Sequence, residues 1–523
     1  MTKKIVNPVL PGFHPDPSIL RVGDDYFIAT STFEWFPGVE LYHSKDLEHW
    51  ELLPSPLQRR SQLDMIGNID SGGVWAPCLS YSDGLFYLIY TDMKSRTGAY
   101  KDSHNYLVTA ENIEGPWSEP IYLNSSGFDP SLFHDEDGSK WLLNMLWDYR
   151  SGNHSFAGIV IQQYSTEKRR LVGPVTNIFK GTELGVTEAP HVYKRNGYYY
   201  LVTAEGGTGY EHAVTIARSP SLFGPYEVDP TNPVLTSHRT DAYLQKGGHG
   251  SLVETQQGEW YLAHLCGRPV KDDRCILGRE TALQKCYWTS DDWIRVEGGS
   301  SPQTEVEIPA LEEFLPQQEE NVDDFTGENL KHHWKSLRRP FTSDWVSIKE
   351  REGYLRLKGG ESLNSLHRQS LLARRLDSFE AEVETCLEFS PEYFQQMAGL
   401  IFYYDTEDHV YLNVSHDEEM GRCLGIIETT AGKYEEIVRK ISLPEEGPIY
   451  LKGIVNRERL QFYYSTDGEE WEKIGGEADI SHLSDDNADY IRFTGTFIGM
   501  CSQDLSGAGT PADFKYFHYT TGK

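Results

Sequence analysis

No disulfide framework can be read from this chain. Its seven cysteines are odd in number and scattered, and no C-x-x-C pair occurs. That excludes a cysteine-based zinc site and fits reduced thiols in a cytosol. Long apolar runs are missing too. None approaches the roughly 18 residues of a membrane span, and the opening MTKKIVNPVL has two lysines but no apolar segment of the signal-peptide kind. These absences predict a soluble, cytoplasmic protein with no membrane partner. Cations are scarce: 48 Lys and Arg against 79 Asp and Glu leave a net charge of −31. Such a surface repels phosphate backbones, so no nucleic acid partner is expected. Helical periodicity is absent as well. What the 523 residues do hold is 12% aromatics and 47 glycines, the mix of a turn-rich β protein able to handle flat polar ligands. The length allows two domains or one large repeat array.

A short phrase is written twice, HPDPSIL at 14–20 and FDPSLFH at 128–134. It belongs to a longer repeat. DPSILRVGDDYFIAT from Asp16, APCLSYSDGLFYLIY from Ala76, DPSLFHDEDGSKWLL from Asp129, EAPHVYKRNGYYYLV from Glu188 and GHGSLVETQQGEWYLA from Gly248 align. Each offers an opening residue, a short alternating strand, a Gly or Asp turn and an aromatic-aliphatic strand. The starts lie 53 to 60 residues apart, a spacing that a four-stranded blade with functional loops reaches. Five blades around one axis are predicted. The first strand of each lies innermost, so Asp16, the Trp75-Ala76 pair, Asp129, Glu188 and, one residue past the strict register, His249 should face one mouth of the channel.

A single Asp-Pro pair is as readily a turn as a site. Three acids at equivalent blade positions are harder to assign to turns. Carboxyls gathered in one pocket push each other's pKa values apart, which separates acid from base. Glycoside hydrolysis needs such a pair, one to protonate the leaving oxygen and one to activate water or attack.

NPVLPGFHPDPSILRVGDDYFIATSTFEWFPG, SSGFDPSLFHDEDG, TEAPH and LGRETALQ together resemble a glycoside hydrolase of family 43, of the two-domain β-xylosidase type, along almost the whole chain. The resemblance implies a five-bladed propeller working with inversion. It makes Asp16 the general base, Glu188 the general acid, and Asp129 a third carboxylate that orients the acid and raises its pKa. Phe33, Trp75 and Trp147 are candidate walls and stacking planes for a pentose, with blade packing as the alternative for each. Arg279 is a candidate donor to sugar hydroxyls through its planar fork, or else an ion-pair partner of Glu280. His249 orients a carboxylate, lies beside a hydrated calcium ion as in some relatives, or is structural.

The acidic stretch EVEIPALEEFLPQQEENVDDF at 305–325 breaks the blade pattern. Boundaries are therefore expected at 1–308 for the propeller, 309–322 for a linker and 323–523 for a second all-β unit, a concanavalin-like sandwich. In that unit FEAEVETCLEF places Phe379, Ala381, Val383, Thr385, Leu387 and Phe389 on one face, and GLIFYYDTEDHVYLNV and LQFYYSTDGEEW read as hairpins. By the resemblance the sandwich contributes to the active-site pocket through FTGTFIGMCSQD, with Phe497 at the pocket edge. No cofactor is required and no catalytic metal is expected. A structural calcium held by the sandwich is a separate expectation, with Asp323, Asp324 and Asp513 as acidic candidates, against a plain solvated acidic surface.

The expected activity is release of xylose from non-reducing ends of xylo-oligosaccharides, with α-L-arabinofuranosidase side activity, by a homo-oligomer such as the tetramers common among relatives. The alternatives are an enzyme mainly for α-L-arabinofuranosides and a non-catalytic carbohydrate-binding propeller. The Asn-Asp-Pro-Asn-Gly phrase of retaining five-bladed fructoside hydrolases is absent, since Pro15 precedes Asp16.

Overall fold

The computed structural model describes residues 3–316, 320–488 and 490–522, so residues 317–319 of the expected linker lie outside the described residues. The chain forms two compact units. The first is Met1–Phe33, Gly38–Arg268 and Arg279–Gln317; the second is Glu34–Pro37, Pro269–Gly278 and Gln318–Lys523. Two stretches expected in the propeller thus cluster with the second unit. Trp35 and Phe36 pair with Leu337 and Ser336 at the end of one of its sheets, and Ile276 and Leu277 sit in its core.

The first unit is a propeller of five antiparallel sheets in chain order. Their innermost strands are Ser18–Val22, Gly73–Ser82, Ser131–His134, Glu188–Arg195 and Gln245–Glu254. The turns between first and second strands are those the Gly and Asp positions predicted, with Gly23, Gly84, Gly138, Gly197 and Gly258 all at positive φ.

What makes five sheets one ring is a closed circuit of hydrogen bonds between innermost strands. Ser18 Oγ accepts from Leu79 N (3.1 Å), joining blades one and two. Ser80 Oγ and His134 Nε2 lie 2.9 Å apart between blades two and three. Ser131 Oγ donates to Pro190 O between three and four. Tyr193 OH accepts from Leu252 N (2.7 Å) between four and five. Ser251 Oγ accepts from Ile19 N (2.8 Å) and donates to Pro17 O (3.1 Å), returning to blade one. The serine of the Asp-Pro-Ser phrase is therefore a stitch to the neighbouring blade.

The chain ends close the same ring. Lys3–Val6 pairs antiparallel with Glu305–Ile308. Just beyond, the buried Asn7 donates to Leu283 O (2.7 Å) and Gln303 O (2.9 Å) and accepts from Leu283 N (2.9 Å).

The second unit carries two eight-stranded antiparallel sheets. Val383, Leu400, Phe402, Leu412, Phe462 and Phe514 are among the residues of its core. Both expected hairpins are present, Gln396–Tyr403 with His409–Asp417 and Arg459–Ser465 with Glu472–Asp479. Along Glu380–Glu388 the alternation holds: Ala381, Val383 and Leu387 lie in the core with Phe389, Thr385 is buried, Phe379 packs against them, and the register irregularity falls on the partner strand Pro511–Thr521.

Replacing Asn7 by Ala takes away the side-chain partners of Leu283 N and O in a buried place and leaves Gln303 O with Gln284 Nε2 (3.2 Å). Loss of a buried hydrogen-bonding partner costs about 1–3 kcal/mol. Asn7→Ala should therefore lower the propeller's unfolding midpoint, read by urea titration or calorimetry, while a surface control such as Lys168→Ala leaves it unchanged.

Candidate active site

The site is built from one repeated backbone feature. One residue at the head of the innermost strand takes a left-handed conformation in all five blades: Asp16 (φ 58°), Ala76 (34°), Asp129 (52°), Ala189 (51°) and His249 (50°). Non-glycine residues in this region carry strain that persists where the surroundings over-determine it, often at active sites. Here the inter-blade bonds supply that constraint, with a proline following in four of the five blades and Gly250 after His249 in the fifth. The register corrects the sequence alignment at two points. Ala189, not Glu188, holds the left-handed place, and His249 is in register rather than past it. The acids thus come from two phases of the repeat. Asp16 and Asp129 occupy the left-handed position, and Glu188 precedes it, as Trp75 and Phe128 do in their blades.

Asp16 is buried and held from several sides. Ser31 Oγ donates to its Oδ2 (2.6 Å), Arg279 Nη1 lies 3.2 Å from Oδ1, and His249 Nδ1 lies 3.5 Å from Oδ1. Burial on its own would raise the carboxyl; Arg279, then His249, Ser31 and His212 outweigh it, and Asp16 stays below the usual carboxylate range. Ser31 is itself fixed, since its Oγ accepts from Ala76 N (2.8 Å). Burial keeps His249 below its ordinary value against the pull of Asp16, with Arg279 adding to burial, so the ring is neutral at pH 7.

Glu188 goes the other way. Burial, followed by the negative charge of Asp16, pushes it up to about 8, with Arg279 opposing. Asp129 is raised well above its ordinary value, first by burial, then by Glu188 and Asp16. Burial and Asp16 raise Glu188, and because the repulsion between Asp129 and Glu188 is mutual, the pair resists carrying two charges. Asp129 also receives the backbone N–H of Ala189, the residue after the acid, which suits a positioning role.

Arg279 does not pair with Glu280. Glu280 is taken by Arg268 (2.6 and 2.7 Å) and by Gly12 N (2.8 Å). Arg279 instead reaches Asp16 and Thr208 Oγ1 (2.7 Å), with its guanidinium 5.5 Å from the Phe33 ring centre. From Phe33 the aromatic wall continues to Trp75 (6.1 Å), Phe128 (5.3 Å) and Trp147 (6.4 Å). Trp75 is fixed by donating to Ser71 O (2.9 Å), and Lys101 Nζ stands 4.3 Å over Trp147. Sequence reasoning missed Phe128, Ser31, Thr208 and His212. Only Phe128 had a signal, its place directly before an Asp-Pro.

Phe497 is not an open pocket-edge residue. Its ring is fully buried and stacked on Trp35, centres 3.7 Å apart and planes at 15°, with Arg375 over it at 5.3 Å. A ring so covered has no face for a sugar. The partly exposed aromatic of that loop is Phe493. Nor do Asp323, Asp324 and Asp513 form a calcium cage. Asp513 is bound by Arg351 (2.9 Å) and Arg356 (2.7 Å), Asp323 accepts from Trp334 Nε1 (2.8 Å) and Asp324 from Thr326. A cavity of about 390 Å³ continues along the axis, lined by Ser18, Cys78, Ser131 and His191, the residues two beyond the left-handed ones.

An ionised and a protonated carboxyl at one aromatic-walled mouth can abstract a proton from water and deliver one to a leaving oxygen. A family model described as glycosyl hydrolases family 43 matches residues 5–294, and one described as the beta xylosidase C-terminal concanavalin A-like domain matches residues 322–520. The chain belongs to glycosyl hydrolase family 43. This family 43 chain is 54% identical to a beta-xylosidase of Bacillus subtilis (strain 168) over 99% of both chains. It is 50% identical to xylosidase/arabinosidase 43B of Humicola insolens, over 99% of this chain and 97% of that one. The crystal structure of xylan beta-1,4-xylosidase from Bacillus halodurans C-125 superposes with a TM-score of 0.98 at 62% identity, covering 99% of this chain and 100% of that one.

The electrostatics fix the pH response. Glu188 acts only while protonated, so kcat/KM should fall as pH rises through about 8, whereas the acid limb, set by Asp16, should lie below the ordinary carboxylate range. A kcat/KM profile on an aryl β-xyloside checks both limbs, and Glu188→Gln should erase the alkaline one.

Proposed function

We propose that this glycoside hydrolase is an exo-acting, inverting β-1,4-xylosidase that frees xylose from the non-reducing ends of xylo-oligosaccharides, with α-L-arabinofuranosidase side activity. The observation that carries the reading is the split between Asp16, held ionised by Arg279, and Glu188, held protonated by burial and by Asp16.

In this mechanism a water beside Asp16 loses its proton to the carboxylate as its oxygen bonds to the anomeric carbon. The glycosidic C–O bond breaks on the opposite side, and Glu188 gives its proton to the departing oxygen. Asp16 ends protonated and Glu188 ionised, and exchange with solvent resets both. The single negative charge of Asp16 lies close to the developing positive charge of the ring. Arg279, already braced by Thr208 and Asp16, has a planar fork suited to the sugar's hydroxyls. Phe33 and Trp75 offer apolar walls to a ring with no exocyclic carbon. The cysteines are free and buried, all seven of them, which suits action in a reducing cytosol.

The second reading, an enzyme mainly for α-L-arabinofuranosides, draws on the Humicola insolens relative, whose name carries both activities. Proton NMR of xylobiose hydrolysis, with kcat/KM for aryl β-xyloside and aryl α-L-arabinofuranoside alongside, tests the choice. The expected result is α-xylose as first product and a higher kcat/KM on the xyloside. β-Xylose appearing first would replace the base by a nucleophile, and a higher kcat/KM on the arabinofuranoside would favour the second reading.

A further inference from the structure

The aromatic wall does not stop at Trp147, and its outer end has no role in the chemistry above. In each blade the chain leaves the acid end along the innermost strand and returns along the second. The loops after the second strands therefore open at the acid end. Two of these, 96–101 after Leu85–Ser95 and 148–155 after Lys140–Trp147, meet at Trp147. Trp147 Nε1 donates to Ala99 O (2.9 Å). The next residue, Tyr100, packs its ring against that of Tyr149, centres 4.8 Å apart and planes at 57°. Both rings stand in solvent, 68% and 56% exposed.

The loops that carry them are braced. Asp148 accepts from Arg150 Nε (2.9 Å), Arg150 Nη2 (2.6 Å) and Asn153 Nδ2 (2.7 Å), and its N–H donates to Ser155 O (2.8 Å). On the facing loop Lys101 Nζ donates to Arg96 O (2.7 Å), and Arg96 Nε to Asp70 O (3.1 Å). Tyrosine held in this way gives a large amphipathic contact surface at little entropic cost. Lys101 already covers one face of Trp147, and beyond it the two tyrosines present large exposed rings.

The direction is also the right one. The base, Asp16, belongs to the first blade and the acid, Glu188, to the fourth, so the leaving group departs on the acid's side. The third blade adjoins the fourth there, through Ser131 and Pro190 and through the Asp129–Glu188 repulsion, and Tyr149 is on the third blade's loop.

We infer that Tyr100 and Tyr149 form an outer platform for the leaving-group side of the substrate, stacking the sugars of a xylo-oligosaccharide beyond the one bonded to the scissile oxygen. The platform rests on the reading of the enzyme as a xylosidase. It makes chain length a determinant of affinity while leaving the chemistry untouched.

The test compares parent, Tyr100→Ala/Tyr149→Ala and Tyr100→Phe/Tyr149→Phe by kcat/KM on an aryl β-xyloside, xylobiose and xylotetraose. All three proteins are first checked for equal melting temperature; the rings are exposed, so their removal opens no core. The double alanine variant should lose about five- to tenfold on xylotetraose, the worth of an aromatic stacking contact. It should stay within about twofold of the parent on the other two substrates, and the double phenylalanine variant should match the parent throughout. An equal loss on all three substrates, no loss on any, or a melting temperature lowered in the alanine variant alone would overturn the platform while leaving the xylosidase intact. A parent that fails to cleave xylobiose overturns the functional reading and the platform together.

Discussion

Three carboxyls and one guanidinium share the mouth of the propeller, and the rest of the site follows from how few negative charges that mouth can hold. Arg279 neutralises one carboxylate, and it sits on Asp16 at 3.2 Å. Glu188 and Asp129, buried and facing a charge already present, are both pushed up, Glu188 to about 8. The division of labour between base and acid therefore needs no difference in chemical type between the two groups. It needs a cation placed nearer one of them. Thr208 and the Phe33 ring hold that cation in place, so a residue in the fourth blade's loop and one in the first blade's loop both act on the base through Arg279.

The scaffold meets this demand with a backbone device used five times. A left-handed residue at the head of each innermost strand aims one side chain at the mouth, and the side chain two residues on points to the next blade or into the axis. In Asp-Pro-Ser the aspartate is chemical and the serine architectural. Where chemistry is not required the left-handed place holds alanine, at positions 76 and 189. The same ring is closed by Ser251 on one side and by the Asn7 segment on the other. The geometry of the mouth thus depends on contacts at the chain's beginning and at its fifth blade.

Much of this was legible in the sequence because repeats are written in a code of turns and alternation. The blades, the sandwich hairpins and the three acids all carry local signals: Gly-Asp turns, period-two patterns and the Asp-Pro phrase. The misreadings share a cause, which is that side-chain surroundings are set by partners far away in the chain. The one-residue slip at Glu188 could not be seen because Glu-Ala-Pro-His offers two candidates for the same slot, and only φ decides between them. Phe497 looked like an exposed loop tip, yet Trp35, more than 400 residues earlier, covers it. Asp513 looked like a metal ligand until two arginines from 351 and 356 claimed it. Thr208 sits in a segment with no motif at all, and Ser31, though inside the first family-like stretch, carries no local sign of its bond to Asp16.

The central claim is that Glu188 is protonated at neutral pH while Asp16, at the same mouth, is not. Carbon-13 NMR of protein labelled at its side-chain carboxyl carbons reads this directly, as a difference titration between the parent and Glu188→Gln. The account predicts a parent resonance that titrates near pH 8 and is missing from the variant. If every resolved carboxyl of the parent instead titrates within the ordinary carboxylate range, burial and Asp16 do not hold the proton on Glu188, and the assignment of the acid fails.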